Sequence, residues 1–261
     1  DHMDRIISAP LFAASWLVGM LLMMEIGRRA GLRCLARDPE KGLAGLSAVE
    51  GAVFALLGLL IAFTFSGGAS RLDSRRQLIA EEANDIGTAY LRLDLLSPSA
   101  QPALRVLFRH YLDSRLAVYR KLPDLDAARA ELARSEELQH DIWTQAVAAT
   151  REPGAHVDAA KLLIPSLNNM IDITTTRTMA AYIHPPAIIY ALLFALGLGC
   201  SLLAGCRMAE GKYRSWIHIL GFTAIMVITL FVILDIEYPR AGFIRLDVYD
   251  RVLVELRGKM K

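Results

Sequence analysis

Residues Gly51–Arg76 read GAVFALLGLLIAFTFSGGASRLDSRR, and this stretch decides the fold. From Gly51 to Ser70 no side chain carries a charge. About 20 residues at about 1.5 Å each span a hydrocarbon core of about 30 Å. The run passes without a proline into Arg71, Asp73, Arg75 and Arg76 and then into a polar helical pattern. On a helical wheel Gly51, Ala55, Gly58, Ala62, Ser66 and Ala69 fall on one side, where another helix can approach closely. Across from them lie Val53, Leu56, Leu60, Phe63, Thr64, Gly67 and Arg71. One face is suited to packing; the other is bulky and ends in a cation. A packing face opposite a lipid face would give the same wheel.

The rest of the chain repeats the apolar signal. Of 261 residues, 54% are hydrophobic, and the mean hydropathy of +0.35 exceeds that of ordinary soluble domains. Ile6–Met24 is read as a first span, Gly51–Ser70 as the second, Pro185–Cys206 as the third and Ser215–Leu234 as the fourth. The expected fold is an all-α membrane protein with four transmembrane helices and a helical extramembrane domain between helices 2 and 3. Residues 1–70 hold the first two spans and a basic connecting loop. Residues 71–184 form the helical domain, 185–234 the last two spans, and 235–261 an amphipathic C-terminal helix. Asp1-His2-Met3 reads as a cloning remnant ahead of a native Met3, without a cleavable signal peptide.

Within 71–184, Ile79, Ala83, Ile86, Tyr90 and Leu93 step by four and three along one helix face, with Glu81, Glu82 and Asp85 off that stripe. Those three carboxylates read as a solvated face. Ser97-Pro98-Ser99 stops this helix. Further helices are expected over about 102–122, from Asp124 to near Glu152-Pro153-Gly154, and from Ala159 to Tyr182. Asp124 and Asp158 stand as N-caps, and Pro165 should kink or interrupt the last.

No catalytic or metal pattern emerges. The six histidines occupy separate elements, and Cys34, Cys200 and Cys206 fit neither a zinc site nor a disulfide framework. No cofactor is implied, and an enzyme is not expected. A net charge of +2 without a clustered basic face argues against nucleic acid as a partner. Asp235, Glu237 and Arg240 close the fourth span, and ion pairs of these carboxylates with Arg75 and Arg76 are expected at the junction of spans two and four.

Three blocks together resemble the bacterial bestrophin-like family: FALLGLLIAFTFSGGASRLDSRRQLIAEEANDIGTAYLRLDLL (Phe54–Leu96), MIDITTTRTMAAYIHPP (Met170–Pro186) and DIEYPRAGFIRLDVYD (Asp235–Asp250). The chain is more distantly similar to bestrophins themselves. That resemblance implies a homopentamer in a bacterial inner membrane, passing chloride or other small anions, with lipid as its surroundings. It further implies that the second span lines the pore through an apolar neck. Val53, Leu56, Leu60, Phe63 and Thr64 would form the neck, and Arg71 its charged end. The chain departs from the pattern at Leu72-Asp73, where many bestrophins carry an aromatic pair, and it lacks an acidic cluster resembling a calcium clasp.

The alternative is a non-conducting, membrane-anchored helical scaffold or sensor that recruits a partner through 71–184. Topology is open from charge alone. The short loops hold eight Lys and Arg (Arg28, Arg29, Arg33, Arg37, Lys41, Arg207, Lys212, Arg214). The opposite side also holds eight (Arg5, Arg71, Arg75, Arg76, Arg177, Arg240, Arg245, Arg251). The weight given to short loops favours an external domain; the resemblance favours a cytoplasmic one.

Overall fold

The computed structural model describes the backbone of residues 3–39, 43, 45–122, 124–211, 216–239, 243–246 and 248–260, with side chains from residue 13 onward. The side chains of Arg5 and of the first turns of the expected first span lie outside the described residues, as do Lys41, Lys212, Arg214 and Arg240. Eight α-helices are described: α1 (Met3–Arg37), α2 (Leu46–Leu91), α3 (Gln101–Arg120), α4 (Leu125–Ala149), α5 (Ala159–Tyr182), α6 (Ala187–Met208), α7 (Trp216–Glu237) and α8 (Arg251–Lys259). A single 3-10 turn, Arg92–Leu95, follows α2. Among the described residues no strand occurs, and three helical stretches are long and apolar enough to cross a membrane. They lie in Leu46–Leu95, Ala159–Met208 and Trp216–Glu237. The protein is an all-helical membrane protein.

The chain divides into two compact units. The first joins Met3–Ser70 to His184–Tyr238. Its centre is the seam between α1 and α6, where backbones meet directly. A Cβ on Gly27 would stand 2.0 Å from the carbonyl oxygen of Leu202, and one on Gly205 would stand 2.0 Å from that of Met24. Gly197 makes room for Trp16, whose ring would be 2.6 Å from an added Cβ and which also meets Phe194 edge-on. Contacts advance together along both helices, from Trp16 against Gly197 to Gly31 against Cys206, so α1 and α6 run parallel. Close approach of small residues drives such packing where lipid removes the hydrophobic contrast. The glycines that touch backbone are therefore on α1 and α6. On α2, Gly51 and Gly58 have nothing within 4 Å of an added Cβ.

α1 extends thirteen residues past Met24, the expected end of its span. Arg28, Arg29, Arg33 and Arg37, expected in a connecting loop, sit on this helix. Glu25 stabilises the extension by pairing with Arg28 at 3.2 Å and Arg29 at 2.9 Å, the spacings that face each other on a helix.

The second unit joins Arg71–Ile183 to Pro239–Lys261. Ile86, Tyr90 and Leu93 pack with Leu104, Phe108 and Tyr111 of α3, Ile142 of α4, Leu163 and Leu167 of α5, and Leu253 of α8. Asp124 caps α4 by accepting from the Ala127 amide at 3.0 Å. Asp158 makes no side-chain cap; it takes Lys161 at 3.2 Å instead. Pro165 sits inside α5 without ending it. Among the described residues after α7, the tail is helical from Arg251 to Lys259.

Candidate functional site

α2 has one side turned into its own unit. Leu57 and Thr64 are buried there, while Val53, Leu60 and Ile61 are half-buried against the same core. The opposite side, centred on Leu59, is bare. Leu56, Leu59 and Phe63 are 52%, 51% and 68% exposed. They recur at steps of three and four, which places them in one line along the helix. Gly51, Ala55, Gly58 and Ala62 form the adjacent exposed strip. The residues expected to line a pore thus divide. Leu56 and Phe63 stand on the uncovered face, Val53 and Leu60 flank it, and Thr64 points inward, its hydroxyl donating to the Leu60 carbonyl at 2.6 Å. Leu59 escaped the sequence reading; its signal is the i, i+4 step to Phe63 on the side opposite Leu57. Arg71 is half-buried and directly follows the uncharged run.

Three of the groups expected at the membrane junction, Arg75, Arg76 and Glu237, have described partners. Arg75 is buried and donates to the carbonyls of Ala180 at 3.2 Å and Ile183 at 3.0 Å, neutralising the open C-terminal end of α5. Arg76 pairs with Asp73 at 2.9 Å and lies over the Tyr249 ring at 4.9 Å. Asp235 and Glu237 are buried, and Glu237 takes Nδ1 of His184 at 3.0 Å, with the His184 ring stacked on Tyr238.

The helical unit contains a buried charged cluster built from residues far apart in the sequence. Glu82, read as part of a solvated face, is fully buried. Arg115 of α3 donates to it at 2.5 Å, and Arg177 of α5 holds its other oxygen. Arg177 also reaches Asp250 at 2.8 Å and lies 3.8 Å over the Tyr119 ring; Arg115 donates to the Tyr119 hydroxyl at 2.7 Å. Burial alone would raise the Glu82 carboxyl, but the two guanidinium groups outweigh it and hold it below its ordinary value. Beside them Tyr111, Thr174 and Gln139 form a closed hydrogen-bond triangle, with burial pushing the Tyr111 phenol up to about 12. The cluster ties α2, α3, α5 and the tail segment together. Among the described residues no group of three or more His, Cys, Asp or Glu could hold a metal ion.

The fold has close counterparts among solved structures. A bacterial bestrophin homologue from Klebsiella pneumoniae, solved as several variants, matches with a TM-score of 0.69 at 15% identity, covering 95% of this chain and 98% of that one. A second variant matches with a TM-score of 0.64 at 13% identity, covering 93% and 99%. Another solved membrane protein matches with a TM-score of 0.61 at 15% identity, over 93% and 99%. No curated protein sequence matches the chain. The sequence itself matches the bestrophin-like domain over residues 35–248, which is most of its length, and the chain belongs to that family.

Proposed function

We propose that this protein is the protomer of an anion channel, assembled as a homo-oligomer in the bacterial inner membrane. The observation that carries this reading is the bare apolar line Leu56, Leu59 and Phe63 on α2, opposite the packed stripe. Copies arranged around an axis would turn that line inward as an apolar neck, with Val53 and Leu60 at its flanks and Arg71 toward one end. The strip Gly51, Ala55, Gly58 and Ala62 would meet a neighbouring copy, and family resemblance makes the ring a pentamer. An apolar constriction gates by dewetting, and cationic side chains near a mouth concentrate chloride and other small anions. Four spans are part of the proposal: α1 follows α6 turn by turn through the apolar unit, which supports counting it as a span. Residues 71–184 and 235–261 then lie outside the membrane. The channel carries no catalytic group and no cofactor.

Chloride flux from liposomes containing the purified protein tests this. Wild type should conduct little, and Phe63→Ser should raise the flux. If both are silent while correctly assembled, the channel reading fails, and a membrane-anchored scaffold that recruits a partner through 71–184 takes its place.

A further inference from the structure

Two of the three cysteines open onto one cavity. Cys34 is exposed near the end of α1, and Cys206 is half-buried near the end of α6. Both line an open cavity of about 480 Å³, walled otherwise by Gly31, Leu43, Leu46 and Val49 among others. Gly31 fixes how close the two helices are at this level. A Cβ there would lie 2.5 Å from the Cys206 carbonyl oxygen and 3.1 Å from its Cα. Cys34 follows Gly31 by three residues, about 4.5 Å along the helix axis. A disulfide needs Cα atoms within about 7 Å, a range that the touching backbones bring into reach. Cys200 is fully buried in the apolar core and stands apart from this cavity.

We propose that Cys34 and Cys206 form a reversible thiol–disulfide site whose oxidant is a small organic disulfide. The difference in exposure assigns the order of events. The Cys34 thiolate attacks one sulfur of the oxidant, forming a mixed disulfide and expelling the first thiolate. The Cys206 thiolate then attacks the Cys34 sulfur, forming the internal bridge and expelling the second. Two cysteine thiols are oxidised, one disulfide is reduced to two thiols, and the two cysteine protons end on those thiols. The bridge staples the end of α1 to the end of α6 across the cavity mouth. Linear spacing hides the site, because 172 residues separate the two positions and only the parallel seam of α1 and α6 joins them.

Oxidised glutathione on the full-length protein in detergent, followed by intact mass and peptide mapping, tests the site. Wild type should lose two hydrogens and yield a Cys34–Cys206 linked peptide within one chain, reversed by a reductant. Cys206→Ser should stop at a stable single glutathione adduct on Cys34, and Cys34→Ser should form no bridge. An unchanged size-exclusion profile shows that each variant is folded. The proposal is overturned if wild type keeps the Cys34 adduct as Cys206→Ser does, does not react, or bridges between chains.

Discussion

Two strips of small residues occupy the membrane unit, and the protomer uses only one of them. Along α1 and α6, Gly27, Gly31, Gly197 and Gly205 let backbone touch backbone or admit Trp16. Along α2, a Cβ added at Gly51 or Gly58 would meet nothing within 4 Å among the described residues. A wheel shows that a helix can be approached closely; it does not show by what. Substitution separates the two cases. Gly205→Leu drives a side chain into the Met24 carbonyl, which cannot swing aside. Its cost should exceed the about 1–3 kcal/mol of ordinary overpacking and abolish the folded protomer. Gly58→Leu meets open space in the chain, so the protomer should fold while the oligomer is lost. Yield and size-exclusion in mild detergent report both. A Gly58→Leu protein that assembles normally would remove α2 from the interface, and a well-folded Gly205→Leu protein would remove the seam.

The helical unit reverses the comparison, since its tightest contacts are charged. Glu82→Gln leaves Arg115 and Arg177 facing a neutral amide in a buried site. Breaking a buried ion pair in this way costs about 3–5 kcal/mol. Because the folded Glu82 sits below its ordinary value of 4.5, its contribution is present above that pH and is lost as pH falls through the lower, folded value. Thermal unfolding followed in the helical unit should therefore drop in Glu82→Gln at neutral pH, and the gap to wild type should narrow on acidification. A variant as stable as wild type at pH 7 would show that the two arginines find other partners.

These outcomes also mark what the sequence can carry. Uncharged length and helical periodicity suffice for an all-helical membrane fold, because each is a local property that lipid or water reads directly. Pairing is not local. Glu82 stands three residues after Ile79 and four before Ile86, on the buried stripe, so its burial was legible in the spacing where that of the exposed Glu81 was not; its partners Arg115 and Arg177 were not legible, since they reach it from 33 and 95 residues away. The uncovered face of α2 was legible only in part: Leu56 and Phe63 lie on it, Leu59 went unread, and Thr64 turns the other way. The same limit touches orientation. Ser135, a natural choice for a single labelling cysteine, is buried and bonded to Ser114 at 2.9 Å. Glu137 is exposed on the same helix. A Glu137→Cys variant on a background lacking the native cysteines should react with a membrane-impermeant thiol reagent only after cells are opened. Labelling of intact cells would place the helical domain outside.

The smallest effects should come from grading the α2 face itself, and they test its assignment most closely. A dewetted neck resists ions because water there has too few polar partners and an ion must shed hydration. Adding one hydroxyl helps only where the side chain meets the pathway. Phe63→Ser removes the most exposed ring and adds a polar group, so it should raise chloride flux most, with Leu56→Ser and Leu59→Ser next. Leu60→Ser should do less, because Leu60 is half-buried against its own core. Thr64→Ala should do almost nothing to flux, since its hydroxyl is already held by the Leu60 carbonyl. Arg71→Glu should leave flux size nearly unchanged but shift preference from anions towards cations. The order is what discriminates. If Leu60→Ser and Thr64→Ala open the pathway and Phe63→Ser does not, the helix is rotated relative to the axis, and the face buried in the protomer is the one that ions meet.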